Sequence, residues 1–185
     1  VDSSASKANF YRQSSNYNVI HLATHAKVDP DNELNSVLYF QPGDTEESGK
    51  LEMEEIMDLD LDANLVILSA CQTALGDEEA ELGFAGLAVQ AGVKSALASL
   101  WYVSDLGTLA LMSEFYDQLG STLVKAEALR QTQLAMLQGN VKVSDRQVNL
   151  SNGENLTLPE EFPEGNLTLS HPYFWSSFTL IGNWN

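Results

Sequence analysis

The stretch Leu65–Ala70, with the sequence LVILSA, is a short apolar run that ends immediately before Cys71. A run of this length that is apolar on both faces is typical of a buried strand in a parallel sheet. A second compact run, Tyr17–Thr24 (YNVIHLAT), lies upstream, and a third, Lys94–Val103 (KSALASLWYV), lies downstream. The three runs predict three buried strands of one sheet.

Helical patterns lie between and around these runs. Ser104 is placed to cap a helix that we expect to be closed by Gly120. The predicted helices are Ser4–Gln13, a short one through Leu51, Ile56 and Leu59, Phe84–Ala91 ended by Gly92, Asp105–Leu119, and Leu123–Leu137, with a last strand at Phe174–Ile181. Strands that alternate with helices predict an α/β fold with a mainly parallel sheet.

Two polar segments interrupt this alternation. Residues 27–50 are broken by prolines and glycines and predict a loop, with one short strand at Ser36–Phe40. Residues 139–170 hold two similar pieces, Asn155-Leu-Thr-Leu and Asn166-Leu-Thr-Leu. We interpret them as a small hairpin insertion within a single domain that spans residues 1–185.

The composition limits the function. The 185 residues suffice for one α/β domain with a core. The 26 acidic and 9 basic residues give a net charge of −17, which argues against nucleic acid, because phosphate binding needs clustered Lys and Arg. This charge favours basic partners, or else only keeps an acidic surface soluble.

The cellular location is predicted from sequence features such as membrane spans, signal peptides and cysteines. No run approaches the roughly 20 apolar residues of a membrane span, and no signal peptide is recognisable. The single cysteine excludes an internal disulfide and suits a reducing compartment, so we expect a cytoplasmic protein. The chain begins at Val1 rather than Met, so we expect it to be part of a longer product.

His25 and Cys71 are the candidate catalytic pair. Each comes just after a predicted strand, and sites of open α/β sheets form outside the carboxyl ends of the strands. An imidazole near a thiol can take its proton and make the thiolate nucleophile. The alternative is structural: a lone Cys after an apolar strand is a small buried hydrophobe, and a lone His is a hydrogen-bonded core or loop residue.

Five blocks of the sequence resemble the CHAT family of caspase-like proteases, which is related to caspases and separase. They follow the family order from about Asn18 to the C-terminus. The blocks are His21-Leu-Ala-Thr-His25, Leu68-Ser-Ala-Cys71-Gln-Thr-Ala74, Gly83-Phe-Ala-Gly-Leu-Ala88, Ser99-Leu-Trp-Tyr-Val-Ser-Asp105, and His171-Pro-Tyr-Phe-Trp175 through Phe178-Thr-Leu-Ile-Gly182. The resemblance implies a caspase-like fold that lacks its first strands, which would precede Val1.

The resemblance also implies roles. Cys71 would attack a peptide carbonyl of a protein substrate, and His25 would activate it or protonate the leaving amine. Backbone N–H groups of Ala26 and Cys71 would form the oxyanion hole. The family usually has Gly where this chain has Ala26, and Ala does not enter positive φ without strain. Family members are often fused to helical repeats, so a regulatory partner or repeats outside this chain are expected, and no cofactor is.

Asp105 is the candidate specificity residue. Separase-like proteases resemble this segment and take a basic residue before the cut bond, so Asp105 would pair with Lys or Arg. The alternative is an acid that complements the helix dipole from the first turn. Glu78, Glu79 and Glu81 either line the approach to the cleft or form a solvated loop.

His21 invites a metal interpretation with His25. The i, i+4 spacing puts two histidines on one face only in a helix, whereas this run predicts a strand, and no third ligand is evident. We therefore expect no metal and interpret His21 as a buried, hydrogen-bonded support of the site.

Three functions remain open at this point. The first is a cysteine endopeptidase that uses His25 and Cys71. The second is an inactive or latent domain of the same fold that acts as a protein-interaction module. The third is a thiol hydrolase or acyltransferase that does not cut peptides.

Overall fold

The computed structural model of the protein describes residues 4–27, 29, 35–59, 61–69, 85–86, 88–101, 103–160, 162 and 165–185. The chain divides into two compact units. The first is Val1–Tyr102 with Phe178–Asn183, and the second is Val103–Ser177 with Trp184–Asn185. Such a division does not decide whether the units fold independently, so the single domain over residues 1–185 stays a prediction.

Both units of the described chain contain helices and strands. The first unit contains α1 (Lys7–Gln13), β1 (Val19–Leu22), β2 (His25–Lys27), β3 (Val37–Tyr39), β4 (Lys50–Glu52), α2 (Met53–Met57), β5 (Leu65–Leu68) and β6 (Ser95–Ser99). The second unit contains α3 (Asp105–Ser121), α4 (Lys125–Leu137), β7 (Lys142–Ser144), β8 (Gln147–Asn149), β9 (Asn155–Thr157) and β10 (Leu167–Thr168). The last strand, β11 (Phe178–Gly182), belongs to the first unit.

The sheet of the first unit has the order β1-β5-β6-β11. Strand β5 runs parallel to both β1 and β6, and β11 is antiparallel to β6. The predicted α/β fold with a mainly parallel sheet is therefore confirmed, and it is compatible with a caspase-like fold.

The strands of this sheet differ in burial. All four residues of β5 are buried, as the run Leu65–Ala70 predicts, because β5 is paired on both sides. The prediction that β1 is equally buried is wrong, since Val19 and His21 are exposed. Among the described strands β1 has a partner on one side only, which places it at the edge of this sheet, and its solvent-exposed face carries Val19 and His21.

One face of the sheet packs against a short helical segment formed by residues 85, 86 and 88–90. The side chains that meet there are small or branched, and they include Ile20, Val66, Leu68, Ala85, Ala88, Ala96 and Ala98. Small alanines on both partners let a helix approach a sheet closely. The segment ends at Gly92, whose φ of 100° suits glycine, as the sequence predicts.

A second, antiparallel sheet of order β2-β3-β4 carries the residues that follow β1. The short strand predicted at Ser36–Phe40 is confirmed as β3, but the loop predicted over residues 27–50 is wrong at its ends, where β2 and β4 pair with β3. Ala26 and Leu38 are register partners and both are buried. Because side chains alternate along a strand, His25 lies on the opposite, exposed face.

Helix ends follow the predicted capping only in part. The hydroxyl of Ser104 accepts a hydrogen bond of 3.2 Å from the N–H of Gly107, which confirms the predicted N-cap. Closure at Gly120 is wrong: α3 continues to Ser121, and Thr122 is the C-cap. Gly120 does not adopt the positive φ that a terminating glycine needs. None of the described helices is both long and apolar enough to cross a membrane.

The second unit contains a four-stranded antiparallel sheet of order β10-β7-β8-β9. Strands β7 and β8 are joined by Asp145 and Arg146, whose φ values of 51° and 58° match a type I′ turn. The two Asn-Leu-Thr segments contribute β9 and β10. They do not form a hairpin with each other, because β7 and β8 lie between them.

Glu114 is a fully buried acid in α3 of the second unit. Its carboxylate accepts hydrogen bonds from the N–H of Ser151 at 3.0 Å, from the Ser151 hydroxyl, and from the Gln118 amide at 2.9 Å. Beside it, the Asn152 amide donates to Asp117 at 2.7 Å. These contacts attach the turn after β8 to α3.

Candidate active site

The candidate site begins where β1 and β5 end. The two strands are parallel and in register, with Leu22 opposite Leu68, and the N–H of Ser69 extends the pairing to the carbonyl of Leu22 at 3.3 Å. His25 lies three residues beyond Leu22, and Cys71 lies three residues beyond Leu68. Three residues reach at most about 10 Å, and adjacent strands are about 4.8 Å apart. His25 and the segment that begins at Ser69 therefore start from the same rim of the sheet.

His25 is the first residue of β2, where it pairs with Tyr39 of β3. The residue before it is also held, because the hydroxyl of Thr24 donates a hydrogen bond to the carbonyl of Tyr39. The imidazole of His25 itself is exposed. A side chain that is exposed on a fixed backbone remains accessible to a substrate.

A cleft of about 330 Å³ opens beside this histidine. It is lined by residues just before α1, at the end of β1, between β1 and β2, and at the end of β3. These residues are Ala5, His21, Leu22, Ala23, Thr24, His25, Tyr39, Phe40 and Gln41. The described lining holds no Asp, Glu, Lys or Arg. In a protein of net charge −17, the described lining of this cleft thus consists of two histidines and uncharged residues.

His21 is one of the residues that line the cleft, and it contacts Ser69, directly after β5. Its Nε2 atom is 2.8 Å from the hydroxyl of Ser69, which is a buried residue. The hydrogen-bonded support that the sequence predicts is present, although His21 as a whole residue is exposed rather than buried. Loss of water around the ring lowers the pKa of His21. The lowered pKa favours the neutral ring, which can form a hydrogen bond with a hydroxyl.

Comparison with known proteins then gives the family. The sequence model of the CHAT domain matches residues 1–183, which is nearly the whole chain. The chain belongs to the CHAT domain family. This family is related to caspase-like peptidases, in agreement with the mainly parallel sheet of the first unit. Comparison with the curated proteins gave no match.

Cys71 of this CHAT domain lies outside the described residues, together with the acidic positions Glu78, Glu79 and Glu81. No distance between His25 and Cys71 follows from the described part of the chain. The pairing of the two residues thus stays a prediction, as does the role of the acidic loop.

Ala26 occupies the position where the family usually has Gly. It is buried in the middle of β2 and does not adopt a positive φ. The strain expected from Ala at this position is therefore absent from the described backbone. Its N–H as an oxyanion donor stays a prediction.

Asp105 is the first residue of α3, in the second unit, and its side chain is exposed. Ser104 supplies the capping hydrogen bond, so Asp105 is not needed as the cap. It does lie in the first turn, where a negative charge complements the helix dipole. Both the specificity and the dipole interpretations remain open.

Among the described residues, no third metal ligand accompanies His21 and His25. The two residues belong to different strands of different sheets. Within the described residues no three His, Cys, Asp or Glu side chains cluster closely enough to hold an ion.

Sequence reasoning missed three residues that shape the site: Thr24, Tyr39 and Ser69. Thr24 and Ser69 stand inside the two blocks that contain His25 and Cys71, so their proximity to those residues was a usable signal. Tyr39 had no such signal, because it reaches the site only through the pairing of β2 with β3.

Proposed function

We propose that this CHAT domain is a cysteine endopeptidase, with Cys71 as the nucleophile and His25 as its acid–base partner. The observation that supports it is the register of β1 with β5, in which Leu22 opposite Leu68 starts both following segments at one rim. Family membership supports the same chemistry at the level of a caspase-like peptidase. We also propose a protein or peptide as the substrate and the cytoplasm as the location.

The proposed reaction has two stages. His25 takes the thiol proton, the Cys71 sulfur adds to the peptide carbonyl, and backbone N–H groups, including that of Ala26, stabilise the oxyanion. The C–N bond then breaks as His25 returns the proton to the leaving amine, leaving a thioester. Water, activated by the same imidazole, hydrolyses the thioester and restores the thiol.

The cleft beside His25 suits an uncharged part of the substrate. It is lined by aliphatic and aromatic groups such as Leu22, Tyr39 and Phe40, together with the polar groups of Thr24 and Gln41. An extended peptide lying there would bury apolar side chains without facing an unpaired charge. A charged substrate residue would have to be recognised elsewhere.

Covalent labelling tests the proposal without knowledge of the natural substrate. We expect a peptidyl acyloxymethyl ketone bearing Lys or Arg to add once to the protein, seen by intact mass. The adduct reports on Cys71 alone, because the chain has one cysteine. Labelling should be lost in Cys71→Ala and slowed about 100-fold or more in His25→Ala, because general base catalysis is worth about 10² to 10⁴.

The matched control for His25→Ala is His171→Ala. His171 is also exposed, and its ring caps a short 3₁₀ helix in the second unit. Its loss should leave the labelling rate unchanged. A wild-type protein that stays unlabelled while folded would contradict the peptidase proposal and favour the inactive or latent interaction module.

Asp105 is proposed to select a basic residue before the scissile bond. We expect Asp105→Asn to slow labelling by a Lys-bearing reagent about tenfold or more, and to leave a norleucine-bearing reagent unaffected, because only the first loses a charge-assisted hydrogen bond. The measurement is the ratio of the two second-order rate constants in the variant and in the wild type.

Asp62→Asn is the control. Asp62 is an exposed acid in the loop before β5, and its substitution removes the same charge from the protein as Asp105→Asn does. Its two rates should keep the wild-type ratio. Equal slowing of both reagents by Asp105→Asn would leave Asp105 with the helix-dipole role only.

A further inference from the structure

The contact between His21 and Ser69 joins two segments that are 48 residues apart in sequence. The Nε2 atom of His21 lies 2.8 Å from the Ser69 hydroxyl, and the N–H of Ser69 donates to the carbonyl of Leu22 at 3.3 Å. Ser69 is therefore attached to β1 through both its backbone and its side chain. It is also buried, which limits alternative positions of its hydroxyl.

The location of this contact suggests more than strand pairing. Ser69 is the first residue after β5 and precedes Cys71 by two positions, while His21 precedes His25 by four. The hydrogen bond thus connects β1, one residue before its end, with the residue that directly follows β5. Displacement of either segment at this point would move the residues that follow it.

We propose that His21 is a positioning residue, whose hydrogen bond to Ser69 sets the place of Cys71 relative to His25. This inference rests on the proposed cysteine peptidase function. The role is indirect: His21 acts on the backbone that carries the nucleophile. A misplacement of about 1 Å can cost about 100-fold in rate, so one well-placed hydrogen bond at the rim has a large effect on chemistry.

The protonation of His21 agrees with this role. Loss of water around the ring lowers the pKa of His21, which favours the neutral imidazole. A neutral imidazole accepts from the Ser69 hydroxyl with one tautomer and donates to it with the other. Either tautomer makes a directional hydrogen bond between the two segments.

A double-mutant cycle tests the inference in the full chain. His21→Phe keeps an aromatic ring without the hydrogen bond, and Ser69→Ala removes only the hydroxyl. For each variant and for the pair, the maximal labelling rate and the half-saturating concentration of the peptidyl ketone are measured at pH 7, with folding checked by circular dichroism. Val19→Ala is the control, since Val19 is another exposed residue of β1.

Each single variant is expected to lower the maximal labelling rate about tenfold or more, with the half-saturating concentration unchanged. The double variant should be no slower than either single one, because both remove the same interaction. His21→Gln and Ser69→Thr, which retain hydrogen-bonding groups, should recover part of the rate. A residue that only stabilised the fold would change the unfolding midpoint and leave the rate of the folded protein unaltered.

Wild-type rates in folded His21→Phe and Ser69→Ala would overturn the inference, while the peptidase proposal would stand. If His21→Phe does not fold, Ser69→Ala decides alone. If the wild type resists the peptidyl ketone, the peptidase proposal fails, and the positioning role is then tested separately by the rate at which iodoacetamide alkylates the single cysteine. A change of at least about threefold in this alkylation rate in each single variant, with no further change in the double one, supports positioning. Equal alkylation rates in all variants refute it.

Discussion

Cys71→Ala is expected to lower the hydrolysis of a fluorogenic peptide by about 10⁴-fold or more, because residues of a catalytic dyad act as a unit and removal of the nucleophile leaves only binding and oxyanion contributions. The substrate should carry Lys or Arg before the reporter group. The measurement is kcat/KM for wild type and variant at equal concentrations of folded protein. An alanine has no atom that forms the thioester, so no residual covalent route exists.

Cys71→Ser is the matched comparison, since it replaces only sulfur by oxygen. A hydroxyl is a far weaker nucleophile than a thiol beside one imidazole, so we expect it to be nearly as inactive as Cys71→Ala. Both variants should retain a cooperative urea transition. Turnover at the wild-type level in folded Cys71→Ala would remove Cys71 from the mechanism.

Glu114→Ala is expected to lower the free energy of unfolding by about 3 kcal/mol. The loss combines hydrogen bonds to a buried charged group, at about 1.5 to 3 kcal/mol each, with a small cavity, partly offset because exposed Ser151 regains water. Urea denaturation followed by circular dichroism measures it. Glu114→Gln should cost less, since one oxygen still accepts, but its amide faces a donor that it cannot satisfy.

Glu127→Ala is the control, because it separates the effect of burying a carboxylate from the effect of the number of hydrogen bonds that it accepts. Glu127 in α4 also accepts from three donors, two on Arg130 and one on Gln131. These hydrogen bonds lower the pKa of Glu127 to about 2, yet the side chains of Arg130 and Glu127 are 56% and 39% exposed, so solvent screens the pair. We expect an unfolding free energy close to that of the wild type. Equal losses in the two variants would show that burial of Glu114 is not what matters.

Glu114 itself was not predictable from the sequence. It stands in a helical pattern between Ser113 and Phe115, and nothing local distinguishes it from a more exposed acid such as Glu127. Its burial arises because the turn at Ser151, 37 residues away, is folded against α3. A contact of that separation is decided by packing rather than by local propensity.

The candidate site also has parts that were predictable from the sequence and parts that were not. That His25 and Cys71 follow two parallel strands was predictable, because apolar runs predict strands and the carboxyl ends of parallel strands share one edge. The contact of His21 with Ser69 was not, since the register between β1 and β5 is a tertiary property. The same holds for Tyr39, which lies in the predicted strand Ser36–Phe40 but reaches His25 only through a pairing with β2 that the sequence does not predict.

The sequence by itself determined the fold class, the buried strand at Leu65–Leu68, the Ser104 cap of α3, and membership of the CHAT domain family. These follow from local patterns: apolar runs, capping residues and ordered motifs. Only the tertiary structure decided that β1 exposes one face, that Ala26 enters a second sheet, and that Glu114 is buried. Each of these depends on which distant segment lies alongside, because pairing and packing free energies are set by partners that no local window of sequence contains.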